Sequence, residues 1–224
     1  MFIIRRLNQF FIFFLLILQS NFCFAQSSEL KGWSSVEYGF DINEILKINL
    51  SQHFRLKEDL NVIDTYITES EISFEPLNKL TLLGQLRYYS RNDNFGGIQG
   101  FENMMRYRFG IEKKLSSNKL NFELRVAYQN RFSLDRENRF KKRIRIRPLI
   151  ELKMIDWTNN PKIYFEYFDE IKGNEQKVYR YGISQKINTN KSKSITLRYL
   201  HQKYIERYSS NSSANIISVK YSFN

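Results

Sequence analysis

Leu120-Asn121-Phe122-Glu123-Leu124-Arg125-Val126-Ala127-Tyr128-Gln129 changes character at every step. Leu120, Phe122, Leu124, Val126 and Tyr128 are apolar. Asn121, Glu123, Arg125, Ala127 and Gln129 between them are polar or small. Successive side chains of a strand point to opposite faces, so this stretch has one apolar and one polar face. The same period recurs elsewhere. Leu46, Ile48, Leu50, Phe54 and Leu56 alternate with Lys47, Asn49, Ser51, His53 and Arg55. Ile217, Val219, Tyr221 and Phe223 alternate with Ser218, Lys220 and Ser222. No 3.6-residue period persists beyond Gln26.

Eleven such segments are legible, at 33–42, 46–56, 64–74, 80–91, 102–113, 119–131, 139–152, 162–168, 177–186, 194–204 and 214–223. Many are around ten residues long, enough for a tilted strand to cross a bilayer. The connections 75–79, 115–118 and 187–193 are compact. Those at 92–100, 133–138, 169–176 and 205–213 are mostly longer and more polar, as short periplasmic turns and longer external loops would be. Eleven is an odd count, whereas single-chain bacterial barrels are normally even. A short strand near 26–31, or one segment outside the wall, would restore evenness.

The first 25 residues are of another kind. Arg5 and Arg6 precede an uninterrupted run of Phe, Ile and Leu from Phe10 to Leu18, and Cys23-Phe24-Ala25 places small residues where a signal peptidase reads. The run is too short for a transmembrane helix, which needs roughly 20 residues. The segment reads as a secretory signal peptide, leaving 26–224 as one domain. Phe22 before Cys23 argues against a lipid anchor. Cleavage removes the single Cys, so no disulfide framework holds the mature chain. It also removes two basic and no acidic residues, lowering the net charge from +12 to +10. In an exported protein the nearest polyanion is the membrane surface, and we expect basic loops against anionic headgroups. The scarcity of Pro (3) beside 16% aromatics favours strands over disorder.

Alternation alone also fits a soluble sandwich or lipocalin-like barrel. Export, long strands almost free of Pro, and the ending Val219-Lys220-Tyr221-Ser222-Phe223-Asn224 favour the membrane. That ending is an alternating strand with a near-terminal aromatic, the type of signal the barrel assembly machinery takes. The expectation is an all-β, antiparallel up-and-down transmembrane barrel of about 10–12 strands. Gly32-Trp33, Gln52-His53-Phe54-Arg55, Leu86-Arg87-Tyr88-Tyr89 and Arg125-Val126-Ala127-Tyr128-Gln129-Asn130-Arg131-Phe132 carry a resemblance over nearly all the mature chain. On these residues the chain resembles the uncharacterised family called domain of unknown function 2490. The resemblance implies an outer-membrane barrel and brings no catalytic residues with it.

The sharpest local feature is the seventh segment. Arg139, Lys141, Arg143, Arg145 and Arg147 share one parity, while Ile144, Ile146 and Ile150 take the other. Such a ladder, with Arg106 and Arg125 on the polar parity of their own segments, suits phosphate or carboxylate contact or an anion-selective pore. It equally suits a packed lumen neutralised by Glu69, Glu71, Glu112, Glu123 and Glu166, with Glu102 beside them. Small barrels fill their interiors with side chains, and the packed lumen is our expectation. Ser51 and His53, with Glu69 or Glu71 on the next segment, compose a hydrolase-like trio. Same-face spacing of about 7 Å is long for a Ser–His hydrogen bond, so ordinary lumen polarity is expected there. His201, the other His, falls on the apolar parity as an interfacial residue. Two separated His and no mature Cys disfavour a metal site, and no Gly-rich phosphate loop occurs. We expect no cofactor. Tyr88, Tyr89, Tyr107, Phe132, Tyr179, Tyr199, Tyr204 and Tyr221 are expected in aromatic girdles at the two bilayer interfaces.

These readings point to a non-enzymatic, monomeric outer-membrane barrel in contact with lipid, lipopolysaccharide and the assembly machinery and not with nucleic acid. The rival readings are a lipid-modifying barrel enzyme and a soluble periplasmic barrel for an apolar ligand. N-terminal analysis of the exported protein should give a chain beginning at Gln26. A mature chain retaining residues 1–22, or carrying lipid on Cys23, would contradict the processing proposed here.

Overall fold

The computed structural model describes residues 28–94, 99–137, 139–154, 159–172, 176–190, 192–205 and 212–223. The expected signal peptide lies outside the described residues. Eleven strands are present: β1 (Glu29–Asp41), β2 (Leu46–Lys57), β3 (Val62–Leu77), β4 (Leu80–Asp93), β5 (Gly100–Ser116), β6 (Leu120–Ser133), β7 (Phe140–Leu152), β8 (Pro161–Lys172), β9 (Lys177–Asn188), β10 (Lys193–Ile205) and β11 (Ser212–Phe223). Each pairs with its sequence neighbours in antiparallel register, and β1 closes the wall against β11.

The closing pair accounts for the odd count. β1 and β11 run parallel, from Glu29 opposite Ala214 to Tyr38 opposite Phe223. Strands alternate in direction, so the first and last of eleven point the same way and can meet only in parallel. Both devices expected to restore an even number are therefore corrected. All eleven segments lie in the wall, and no twelfth strand occurs among the described residues.

The strands run further than their alternation indicated, yet the expected contrast largely persists: 78–79, 117–119 and 189–192 are compact at one end, while 94–99, 134–139, 173–176 and 206–211 at the other are mostly longer. The longest connection, 153–160, lies at the same end as the tight 78–79 turn. At the opposite end, Glu58, Asp59 and Leu60 all adopt positive φ (51°, 55° and 72°). This turn folds back on the start of β1: the Leu30 amide donates to Asp59 Oδ1 at 2.8 Å, and the Glu58 amide to Glu29 Oε1 at 2.7 Å.

Side-chain parity sorts the two faces. Leu50, Tyr66, Leu86, Ile111, Leu124, Val126 and Ile144 stand on the outside, and Phe109 is 61% exposed. The interior parity holds Glu69, Arg87, Arg108, Glu112 and, on β8, Glu166, all buried. Two apolar clusters share the interior, Ile67 with Tyr89 and Met104, and Tyr164 with Leu200 and Ile216 backed by Trp33 and Leu149. Tyr89 and Tyr204 were expected in the outer girdles. Tyr89 is buried in the interior cluster and Tyr204 lines the lumen, because both fall on the inward parity of their strands.

Close approach between strands fixes Gly182. A Cβ built there would lie 2.0 Å from the Tyr199 carbonyl oxygen, whereas one at Gly84 meets nothing within 4 Å. Gly182→Ala should lower stability by about 1–3 kcal/mol, the cost of overpacking against a backbone that cannot yield. Gly84→Ala should be neutral or stabilising, since Gly in a strand interior is worth roughly 0.5–1 kcal/mol less than Ala. Urea unfolding of the two variants, followed by intrinsic fluorescence, checks this order.

Candidate functional site

The lumen is built in tiers, each the product of cross-strand register. Deepest toward the end where β11 finishes, Arg125 faces both Glu112 and Arg147 across its two ladders. Arg125 Nη2 lies 2.5 Å from Glu112 Oε2, Arg147 pairs with Glu123, and Arg147 Nη2 stands 3.6 Å from Glu112. With Lys114 Nζ 3.4 Å from Glu112 Oε1, five charges share one network. In the next tier Arg145 pairs with Glu166, whose other oxygen accepts from Arg180 Nη1 at 2.8 Å. Arg180 donates onward from Nε to Gln202 at 2.9 Å. Arg145 and Arg180 also hold their guanidinium carbons 5.3 and 5.1 Å from the Phe168 ring centre. Planar guanidinium makes both contacts at once, donating in its plane and stacking on its face.

A β-bulge in the β7–β8 ladder falls between Lys142 and Arg143 and brings Glu170 opposite Arg143. Glu170 Oε2 lies 3.1 Å from Lys141 Nζ and 3.7 Å from Arg143 Nη2. Gln176 Oε1 accepts from the same two residues at 3.1 and 2.5 Å. At the mouth, Arg139 Nη1 donates to Glu102 at 2.8 Å, and Glu102 also accepts from Ser133 at 2.7 Å.

The structure therefore places Arg139, Lys141, Arg143, Arg145 and Arg147 on one inner face, each beside a carboxylate. Arg125 pairs with Glu112 and Arg108 with Glu71 at 2.7 Å. Glu69 pairs with Arg87 and lies 3.9 Å from Arg106, whose closer partner is Gln85 Oε1 at 2.6 Å. Sequence reasoning missed Glu170, because 169–176 reads as a loop, although the parity of Glu166 and Phe168 extends to it. Arg198 reads from sequence as a mid-strand charge of the polar parity, whereas Arg55 and Arg131 are not singled out as lumen charges. Among the described residues these three have no carboxylate within 4.0 Å. Arg55 lies 4.1 Å above the Trp33 ring, which Arg180 approaches at 5.0 Å, and Arg198 lies 5.3 Å from that of Tyr164.

The hydrolase-like trio does not assemble. His53 Nε2 is 3.9 Å from Glu69 and has no hydrogen-bond partner, while Glu69 is taken by Arg87. No Ser51–His53 hydrogen bond occurs among the described residues. His201 lies on the outward parity, its Nδ1 2.9 Å from Asn215 Oδ1 and its ring 5.1 Å from that of Tyr181. Among the described residues no group of three His, Cys, Asp or Glu is placed to hold a metal.

These features define a closed β-barrel with an apolar exterior and a lumen lined by ion pairs. The family described as Protein of unknown function (DUF2490) matches residues 30–212, and the chain belongs to it. No curated protein matches the chain. Among solved structures, an anion-selective porin from Comamonas acidovorans is similar at 9% identity and a TM-score of 0.41, over 81% of this chain and 54% of the porin. The chain thus spans about half the length of that porin.

Sharing of carboxylates sets the order of damage. Glu166 serves two guanidiniums, so Glu166→Gln strands both Arg145 and Arg180 and should cost about 3–5 kcal/mol, the range for breaking a buried pair. Arg145→Ala leaves Glu166 with Arg180 and should cost less. Equal destabilisation of the two variants in denaturant titration would contradict the shared network.

Proposed function

We propose that this chain is a non-enzymatic outer-membrane barrel with a packed, charge-lined lumen, serving a structural or binding role and not that of an open pore. One observation carries the reading: large apolar side chains cover the outside of a wall whose inside holds the buried charges. A soluble barrel puts its apolar parity inward. Water does not tolerate an exposed apolar band of this extent, whereas hydrocarbon requires it. Closure leaves no strand edge unpaired, which is what a bilayer core demands of any sheet. Among the described residues no helix is long and apolar enough to cross instead.

In this reading β11 carries the signal for the barrel assembly machinery and ends at the periplasmic face. The outer wall meets lipid and lipopolysaccharide. The protein acts as a monomer, without cofactor and without nucleic acid. Residues 1–25 deliver it and are removed. The lipid-modifying alternative gains no support, since His53 lines the lumen and makes no hydrogen bond to Ser51.

Two measurements test this. Leu124→Arg should block assembly into vesicles, because Arg at mid-bilayer on a barrel's outer face costs roughly 2–4 kcal/mol, while Glu123→Gln should insert more readily. In planar bilayers the wild-type barrel should show little or no ion conductance. Equal insertion of both variants, solubility without detergent, or a large stable conductance would each overturn the reading.

A further inference from the structure

One row of the lumen gathers more like charges side by side than the tiers do. Glu69 on β3 stands opposite Arg87 on β4, Arg87 opposite Arg106 on β5, Arg106 opposite Arg131 on β6, and Arg131 opposite Lys141 on β7. Four basic residues thus lie side by side on consecutive strands. Directly opposed side chains in a ladder are only about 4.5–5.5 Å apart at Cβ, and like charges there repel. The row has one carboxylate at each end, Glu69 beside Arg87 and Glu170 beside Lys141. Arg131, inside it, has no hydrogen bond or ion pair to any described residue. Arg87 and Arg106 hold their guanidinium carbons 5.6 Å from the Tyr89 ring centre, Arg87 donates to its hydroxyl at 3.4 Å, and Arg55 on β2 lines the same stretch of lumen.

The space in front of this row is a cavity of about 700 Å³, and of the residues lining it fifteen are Lys or Arg and six are Asp or Glu. Glu112, Glu123 and Glu170, which pair with lining residues from outside that lining, reduce the surplus without cancelling it. Guanidinium cannot shed its proton to relieve the crowding. Several donors remain unused. The Nε atoms of Arg55, Arg106, Arg108 and Arg143 are buried and lack an acceptor, and Arg108 is only 4% exposed. A buried donor without an acceptor costs free energy, and a confined surplus of positive charge needs a counter-anion.

We propose that the lumen is an oxyanion-binding site, in which a multivalent phosphate- or carboxylate-bearing solute is held between Arg55, Arg106 and Arg131, with the Tyr89 hydroxyl as a further donor. Guanidinium forks match the paired oxygens of such groups, whereas a spherical halide uses one donor direction at a time. Trp33, Tyr89 and Tyr164 supply flat walls beside the arginines. The site differs from the seventh-strand ladder: there every base stands beside a carboxylate, whereas Arg55 and Arg131 here do not.

The test is titration calorimetry on the mature barrel refolded in detergent, in chloride buffer, with inorganic phosphate and with citrate as probes. Saturable binding of either is expected. Arg131→Gln should weaken it at least roughly tenfold, the loss of one charge-assisted hydrogen-bonding partner. Arg131→Lys keeps the charge, loses the fork and should also weaken it, while a heat-modifiable gel shift confirms that both variants fold. Lys177→Gln removes the same charge from an exposed strand end and should leave binding unchanged. Absence of binding by both probes, or affinities equal in wild type and both Arg131 variants, would overturn the proposal. Conductance is read separately, so a conducting barrel that binds phosphate would refute the packed lumen and leave this site standing.

Discussion

Every backbone N–H and C=O in a wall with an apolar exterior must find its partner within that wall. In the bilayer proposed above hydrocarbon offers none, and each unpaired group costs several kcal/mol. A sheet meets this demand only by closing on itself, and eleven strands close only if one pair is parallel. The β1–β11 pair follows from that arithmetic. Closure in turn gives each side chain a binary choice, outward to an apolar surroundings or inward to a lumen too narrow to be left empty. The tiers of charge, the buried aromatics and the glycine at 182 are different answers to the inward half of that choice.

The inward half is filled unevenly. Toward the end where β11 finishes, carboxylates are shared between arginines, and the network of Arg125, Glu112, Arg147 and Glu123 leaves few groups unmatched. Around Tyr89 the register sets like charges beside one another. A lumen designed only for stability would alternate signs there, as opposite pairs in a ladder stabilise and like pairs do not. Replacing buried ion pairs by apolar residues is often neutral or stabilising, so stability alone does not explain retaining so many arginines in one row.

Much of the fold was legible because period two is a local property. The apolar and polar parities of 46–56, 120–129 and 217–223 are written in consecutive residues, and the structure puts them on the outer and inner faces that the alternation requires. The length of each strand was less legible. Near the mouth Asp169 interrupts the apolar parity between Tyr167 and Ile171, so β8 reads short and Glu170 is lost from the lumen. Tyr89 and Tyr204 were assigned by composition, as aromatics near strand ends, when their parity already placed them inside. The basic ladder was visible because its members are two residues apart on one strand. The row from Arg87 to Lys141 was not, because its members lie on four strands and only the register brings them together.

Parallel closure has a topological consequence for the ends of the wall. Where strands are even in number, the first and last form a hairpin-like pair, and a short loop can join them. Here β1 begins at one mouth and β11 finishes at the other, with ten residues of each in register between. At about 3.3 Å per residue, that separates the two ends by roughly 30 Å. A circular permutant of this barrel would need a connector on the order of ten extended residues threaded through the lumen, among the arginines. The chain order is thus tied to the strand number: a cyclic rearrangement of the eleven strands keeps the wall only with a connector that crosses from one mouth to the other.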